Sequence, residues 1–200
     1  MSRLPEEIAS IGTYASVRID VAAHDAVTVD SMLAIAGMFE REVEEKRPTG
    51  GLDHLDRALG SAITRLRADG IFSGSLGAML TLSTPAPPVR AGSILVMGLG
   101  DPDLWRPDTM RGVVASAVRE ARRLDSVSAA FAPGLLDSGL PPDRLSGVSD
   151  AMLLGVLDAL ATVGGGALTH WIFCTGPTHF DDNAAAFRQG LARLVRCPLR

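Results

Sequence analysis

The 200-residue chain is poor in cysteine, in lysine and in long apolar runs, and each scarcity excludes a class of protein. Two cysteines far apart in the chain, Cys174 and Cys197, do not frame a disulfide-built secreted domain. The opening MSRLPEEIAS puts no basic segment ahead of an apolar run, so it does not read as a secretory leader. The longest apolar stretches, SMLAIAGMF and SILVMGLG, fall well short of the ~20 residues that span a bilayer. Positive charge is not in excess either. The 19 Lys and Arg against 23 Asp and Glu leave a formal charge of −4, which attracts neither a nucleic-acid backbone nor an anionic membrane. The expectation is a cytoplasmic chain without nucleic-acid or membrane partners.

What is present suits one core. With 46% hydrophobic side chains over 200 residues, the composition predicts a single domain spanning 1–200. SVRIDVA (Ser16 to Ala22) alternates like a half-buried strand, and MLAIAGMFE (Met32 to Glu40) reads as its partner strand, since Gly37 weakens a helix there. EREVEEKRPTGG, which holds the one lysine, Lys46, reads as a charged loop. Leu55, Leu59, Ile63 and Leu66 recur at helical steps from Leu52, and Asp69-Gly70 supplies the stop. AMLTLST and SILVMG, separated by the proline-rich PAPPVRAG, predict neighbouring strands.

The stripe Met110, Val113, Val114, Ala117, Val118, Ala121 and Leu124 predicts a second helix, with Asp108 as its N-cap and its arginines on a solvated face. SVSAAFA reads as a strand and GLLDSGLPPDRLSG as a turn-rich connection. SDAMLLGVLDALATV reads as a helix stopped by Gly164 to Gly166. LTHWIFCT reads as a strand and FDDNAAAFRQGLARLV as a closing helix capped by Asp181 or Asp182. Strands alternating with helices predict a mainly parallel or mixed sheet covered on both faces.

No segment carries a strong chemical motif. Gly98-Leu99-Gly100 begins like a dinucleotide fingerprint, but Asp103 occupies the third glycine position and the next helix is delayed to about Asp108. No Lys-Ser or Lys-Thr pair makes it a P-loop, and Asp101, Asp103 and Asp108 would repel a phosphate. A strand-ending turn is the plainer reading. Among His24, His54, His170 and His179, no two stand four residues apart on one helix. His170 reads as a hydrogen-bonded interior residue. His179 with Asp181 and Asp182 is the best metal candidate, although acids opening a helix are ordinarily caps. Ser75 lacks the first glycine of a nucleophile elbow, and Cys174 in WIFCT reads as a buried, inert thiol.

The succession GGLDHLDRALGSAITRLRADGIFSGSLGAMLTLSTP, then ILVMGLGD, then MRGVVASAVREARRL resembles the N-terminal domain of the leucine (leucyl or cytosol) aminopeptidase family. The corresponding pieces are Leu52-Asp53 to Ala68, Gly74 to Gly77, and Gly98 to Gly100, and the likeness runs over about three-quarters of the chain. It implies a three-layer α/β/α macro-domain-like fold with a mixed, mainly parallel sheet. In that family this domain is the non-catalytic half, and the GLG turn ends a central strand. The two-metal cluster of the catalytic half and its Asn-Thr-Asp-Ala-Glu-Gly-Arg-Leu signature have no counterpart here, so the resemblance brings no catalytic residue, metal or cofactor.

The function implied is a non-catalytic interaction or regulatory module. Its partner would be a second copy or a separate protein, an aminopeptidase catalytic subunit among the possibilities. The alternative is a macro-domain-type binder of ADP-ribose or a related nucleotide, with Gly98, Leu99, Gly100 and Asp101 along the ligand. A poorer third reading is a hydrolase using His179 with Asp181 and Asp182.

Overall fold

Alternating VRIDVA and uninterrupted LAIAGMF are two kinds of strand, one at the flank of a sheet and one covered on both faces. The computed structural model describes residues 8–41, 50–135, 140–163, 166–178 and 180–196. It contains seven strands: β1 (Ile8–Tyr14), β2 (Val17–Ala22), β3 (Leu33–Phe39), β4 (Met79–Ser83), β5 (Ser93–Gly100), β6 (Ser128–Ala132) and β7 (His170–Cys174). Five α-helices accompany them: α1 (Gly50–Ala58), α2 (Ala62–Ala68), α3 (Pro107–Arg123), α4 (Val148–Val163) and α5 (Phe180–Arg196). The strands form one sheet in the order β1-β2-β7-β6-β3-β5-β4. The run from β2 to β5 is parallel throughout, and β1 and β4 close the two edges antiparallel.

The two faces bury different residues. On one, Leu33, Ile35, Leu95, Phe131, Trp171 and Phe173 pack under α3, α4 and α5. There Phe173 stacks on Phe187 of α5 with ring centroids 4.7 Å apart, and Trp171 meets Phe173 edge-on at 6.0 Å. The other face carries smaller side chains, among them Ala34, Ala36 and Ala130, beneath Leu52 and Leu55 of α1, Ile63 of α2 and Val27, Val29 and Val89 of the loops. Helices on both faces of a largely parallel sheet give the three-layer α/β/α arrangement that the sequence implied.

Several local expectations are corrected. The partners of β2 are β1 and β7, whereas the 32–40 strand sits between β6 and β5. The helical stripe from Leu52 to Leu66 is two helices. The chain turns at Gly60 and Ser61, both at φ +62°, and buried Asp56 of α1 takes over the start of α2 by accepting the amides of Ile63 at 2.8 Å and Thr64 at 3.2 Å. Helix α3 starts at Pro107, and the Thr109 hydroxyl accepts the Arg106 amide, so Asp108 stands in the first turn and is not the cap. Asp181 and Asp182 likewise lie inside the first turn of α5. Gly98 to Gly100 are the last residues of β5 itself, one strand in from the edge. The predicted stop at Gly164-Gly165, together with Lys46, His179 and Cys197, lies outside the described residues.

The stretch Pro142–Thr162, with mean hydropathy 1.4, is long and apolar enough to cross a membrane, which the sequence reading overlooked. Its helix, α4, lies between α3 and α5. A Cβ at Gly155 would stand 2.5 Å from the Arg111 carbonyl oxygen of α3, so the two helices meet almost backbone to backbone. The apolarity of α4 matches burial between two neighbours.

Candidate functional site

Parallel strands end together, and the connections leaving them part to make a crevice at their carboxyl ends. Here the ends of β2, β3, β6 and β7 open into a cavity of about 180 Å³. Its floor is Ala36 and Gly37 of β3, Ala132 of β6, and Phe173 and Cys174 of β7, and its walls include Leu52, Met152 and Phe187. Small side chains on β3 and β6 are what leave the space. Gly134 and Gly176, two residues past the ends of β6 and β7, turn the chain away at φ +64° and +69°, a conformation that favours glycine.

The first turns of three helices stand at the rim: Gly51 and Leu52 of α1, Val148 and Ser149 of α4, and Asn183 of α5. A helix start carries unpaired amides and the positive end of the helix dipole, so acceptor-rich groups are favoured there. Among the described residues lining the cavity none is Lys or Arg, and Asp25 is the one carboxylate.

Asp25 is engaged on both oxygens. Its Oδ1 accepts the amides of Val27 at 3.0 Å and Thr28 at 2.9 Å and the Thr28 hydroxyl at 2.9 Å, the local closure of an Asx turn. Its Oδ2 lies 2.5 Å from Nδ1 of His54 on α1. An ionised carboxylate only accepts, so Nδ1 carries the proton. Burial pushes the Asp25 carboxyl up, but the bonds from His54 and Thr28 outweigh it and hold it below the usual range. Burial drives the Cys174 thiol in the opposite sense for reactivity, far above its ordinary value, with the Asp25 charge adding to the effect.

The structure places the glycines singled out in the sequence elsewhere. The amide of Gly98 donates to the Ala78 carbonyl at 2.8 Å, and that of Gly100 to the Gly74 carbonyl at 3.0 Å. Leu99 is buried in the core beneath α3. Asp101 accepts Arg41 at 3.2 Å and the Asp103 amide at 2.9 Å. None of the four lines the cavity. From the connection after β6, Pro133 to Leu135 reach it, and residues 136–139 lie outside the described set. His170 is bonded to Asp20 at 2.8 Å, and on α3 Arg111 pairs with Asp158 and Arg123 with Glu120. Ser75 is exposed against Ser73.

Sequence reasoning missed His24, Asp25, Gly134, Gly176 and Asn183 as cleft residues. For all but Asn183, which stands in the first turn of α5, the available signal was a polar or glycine residue within three positions of a strand end, and it needs the strand order before it means anything. Among the described residues no group of three or more His, Cys, Asp or Glu is placed to hold a metal ion.

Comparison with known proteins agrees with this architecture. The model of the cytosol aminopeptidase family N-terminal domain matches residues 35–145, more than half of the chain. A relative named probable cytosol aminopeptidase, from Nostoc punctiforme, is 34% identical over 91 residues, which are 45% of this chain and 17% of that protein. A tomato leucine aminopeptidase mutant superposes with a TM-score of 0.60 at 18% identity over 90% of this chain and 37% of its own. The Oceanobacillus iheyensis macrodomain, in a structure with ADP, superposes with a TM-score of 0.66 at 14% identity, covering 94% of this chain and 98% of the other. The chain thus spans a minor part of the aminopeptidases it matches and nearly all of a macrodomain. The fold is macrodomain-like, and by the matched segment this chain belongs to the cytosol aminopeptidase family, in its N-terminal domain.

Proposed function

We propose that this chain works by binding and not by catalysis, as an interaction or regulatory module. The observation that carries this reading is how the reactive groups of the cleft are spent. Asp25 anchors its own loop and α1, with three donors on one oxygen and His54 on the other. Cys174 is held as the thiol, the opposite of what a nucleophile requires. The partner is a second copy of the chain or a separate protein, an aminopeptidase catalytic subunit included, met in the cytoplasm and without nucleic acid or membrane. Purified chain given zinc or manganese and a leucine-amide substrate is expected to show no turnover above blank. Hydrolysis abolished by a chelator overturns the reading.

The rim supports a second reading, a small-molecule site of macrodomain type. Three helix starts converging on one cavity favour an acceptor-rich ligand, and the macrodomain structure with ADP has the same fold. Against tight binding stand the negative Asp25 and the absence of Lys and Arg from the described lining. Calorimetric titration with ADP-ribose separates the two readings.

A further inference from the structure

Strand β4, Met79-Leu80-Thr81-Leu82-Ser83, is a sheet edge whose own sequence does nothing to blunt it. It carries no charge and no proline, and it pairs with β5 from Met79↔Met97 to Ser83↔Ser93 without a bulge. Among the described residues no strand lies beyond it. The opposite edge differs. The register of β1 shifts between Ser10 and Gly12, and Arg188 of α5 donates to the Ser10 carbonyl at 3.1 Å. Charges, prolines, bulges and covering side chains are the usual protection of an edge, and β4 has none of them in its own sequence.

The hydrogen-bond parity of β4 shows what it offers. The Ala78 carbonyl accepts the Gly98 amide at 2.8 Å, and the Thr84 amide donates to the Gly92 carbonyl at 3.1 Å. Groups turned toward one partner alternate along an antiparallel strand, so positions 78, 80, 82 and 84 serve β5. The amides and carbonyls of Met79, Thr81 and Ser83 therefore face outward. The side chains of the same three residues are exposed, whereas Leu80 and Leu82 pack against the core. Exposed Ile71 and Leu76 precede the strand and extend its apolar character.

A set of outward groups centred on one residue is its own complement under a two-fold axis. Antiparallel pairing about Thr81 sets Thr81 opposite Thr81 and Met79 opposite Ser83, each pair exchanging amide and carbonyl, with a threonine cross-strand pair at the centre. We infer that a second copy of this chain docks here, β4 against β4, joining the two sheets into one. This deepens the interaction reading and rests on it only for the existence of a partner; the turnover assay tests that reading, and the experiment below tests the edge alone. A five-residue strand makes a small interface, so the dimer is reversible and concentration-dependent.

Sedimentation equilibrium of the chain from about 1 to about 500 μM decides the matter. The expected result is a monomer–dimer equilibrium that Thr81→Lys weakens at least about tenfold, because like charges would face each other across the axis. Thr81→Pro removes an outward amide that β5 does not use, and it weakens the dimer to a similar degree. Circular dichroism of Thr81→Lys matches the parent, and Arg188→Ala at the opposite edge leaves the equilibrium unchanged. The amides of Met79, Thr81 and Ser83 exchange more slowly as concentration rises. A chain monomeric over the whole range, or a dimer that Thr81→Lys leaves equally tight, overturns the inference. If Thr81→Pro fails to fold, the lysine variant and the exchange rates still decide it.

Discussion

Gly98 lies directly beneath Ser75: a Cβ on Gly98 would stand 1.9 Å from the Ser75 carbonyl oxygen and 2.6 Å from that of Gly74. The glycine is there so that the loop ahead of β4 can lie on β5. Both clashing atoms are backbone, and neither can swing away as a side-chain tip does. Gly98→Ala is expected to cost about 2–3 kcal/mol, the upper part of the range for overpacked cores, lowering the thermal midpoint by about 4–12 °C for a chain of this size. Gly112, exposed on α3 with nothing within 4 Å of its Cβ position, is the control. Gly112→Ala should stabilise by about 0.5–1 kcal/mol, and equal effects of the two substitutions would refute this account of Gly98.

The Asp25–His54 tie makes a pH-dependent contribution whose sign follows from the lowered carboxyl. Because the folded state holds Asp25 below its unfolded value, the stabilisation is fully present above the ordinary carboxylate range and is lost as pH falls through the folded value. Asp25→Asn keeps the acceptor for the Asx turn and removes the charge, so about 1 kcal/mol should disappear at neutral pH. Chemical denaturation of both proteins across the acid range reads the difference. The gap should close below the Asp25 titration, and a constant gap down to pH 2 would show that the charge is not its source.

Burial of Cys174 predicts chemical inertness. In a Cys197→Ser background, iodoacetamide should leave the folded chain unmodified over hours and label it promptly once denatured, since the thiolate is the reacting form. Rapid labelling of the folded protein would return Cys174 to the list of candidate nucleophiles and count against a purely binding role.

For the cleft, ADP-ribose is expected to bind more weakly than about 100 μM, roughly 5.5 kcal/mol, because no basic side chain among the described lining offsets a diphosphate. Ser149 stands on the rim in the first turn of α4, so Ser149→Trp fills the entrance without touching β5. A low-micromolar isotherm for the parent chain that this substitution abolishes would establish the macrodomain-type reading in place of the interaction module.

Most of the layered fold was legible in periodicity. The runs at 33–39 and 93–100 are apolar at every position except glycine and the opening Ser93, as strands covered on both faces must be, and the stripe of α3 announces one buried face. PAPPVRAG between two short apolar runs correctly marked β4 and β5 as neighbours. β1 was invisible because IASIGTY puts one core side chain, Ile11, among small and polar residues, too little apolar pattern to announce a strand, and pairing with β2 supplies its order. The break between α1 and α2 was hidden because the apolar spacing continues straight across Gly60, while the carboxylate that starts α2 lies in the preceding helix.

The sequence by itself determined six of the seven described strands, most of the helical segments, the family and the scarcity of reactive groups, because each is written in local spacing or in composition. The location of the cleft was decided only in three dimensions. Its floor and rim come from Asp25, Gly37, Ala132 and Cys174, which no local pattern joins and which meet because β2, β7, β6 and β3 lie side by side out of chain order. The same assembly turned Gly98 and Gly100 toward Gly74 and Ser75 and, among the described residues, left no strand beyond β4. Which groups a glycine approaches, and which edge a strand leaves open, depend on the neighbours that long-range packing supplies.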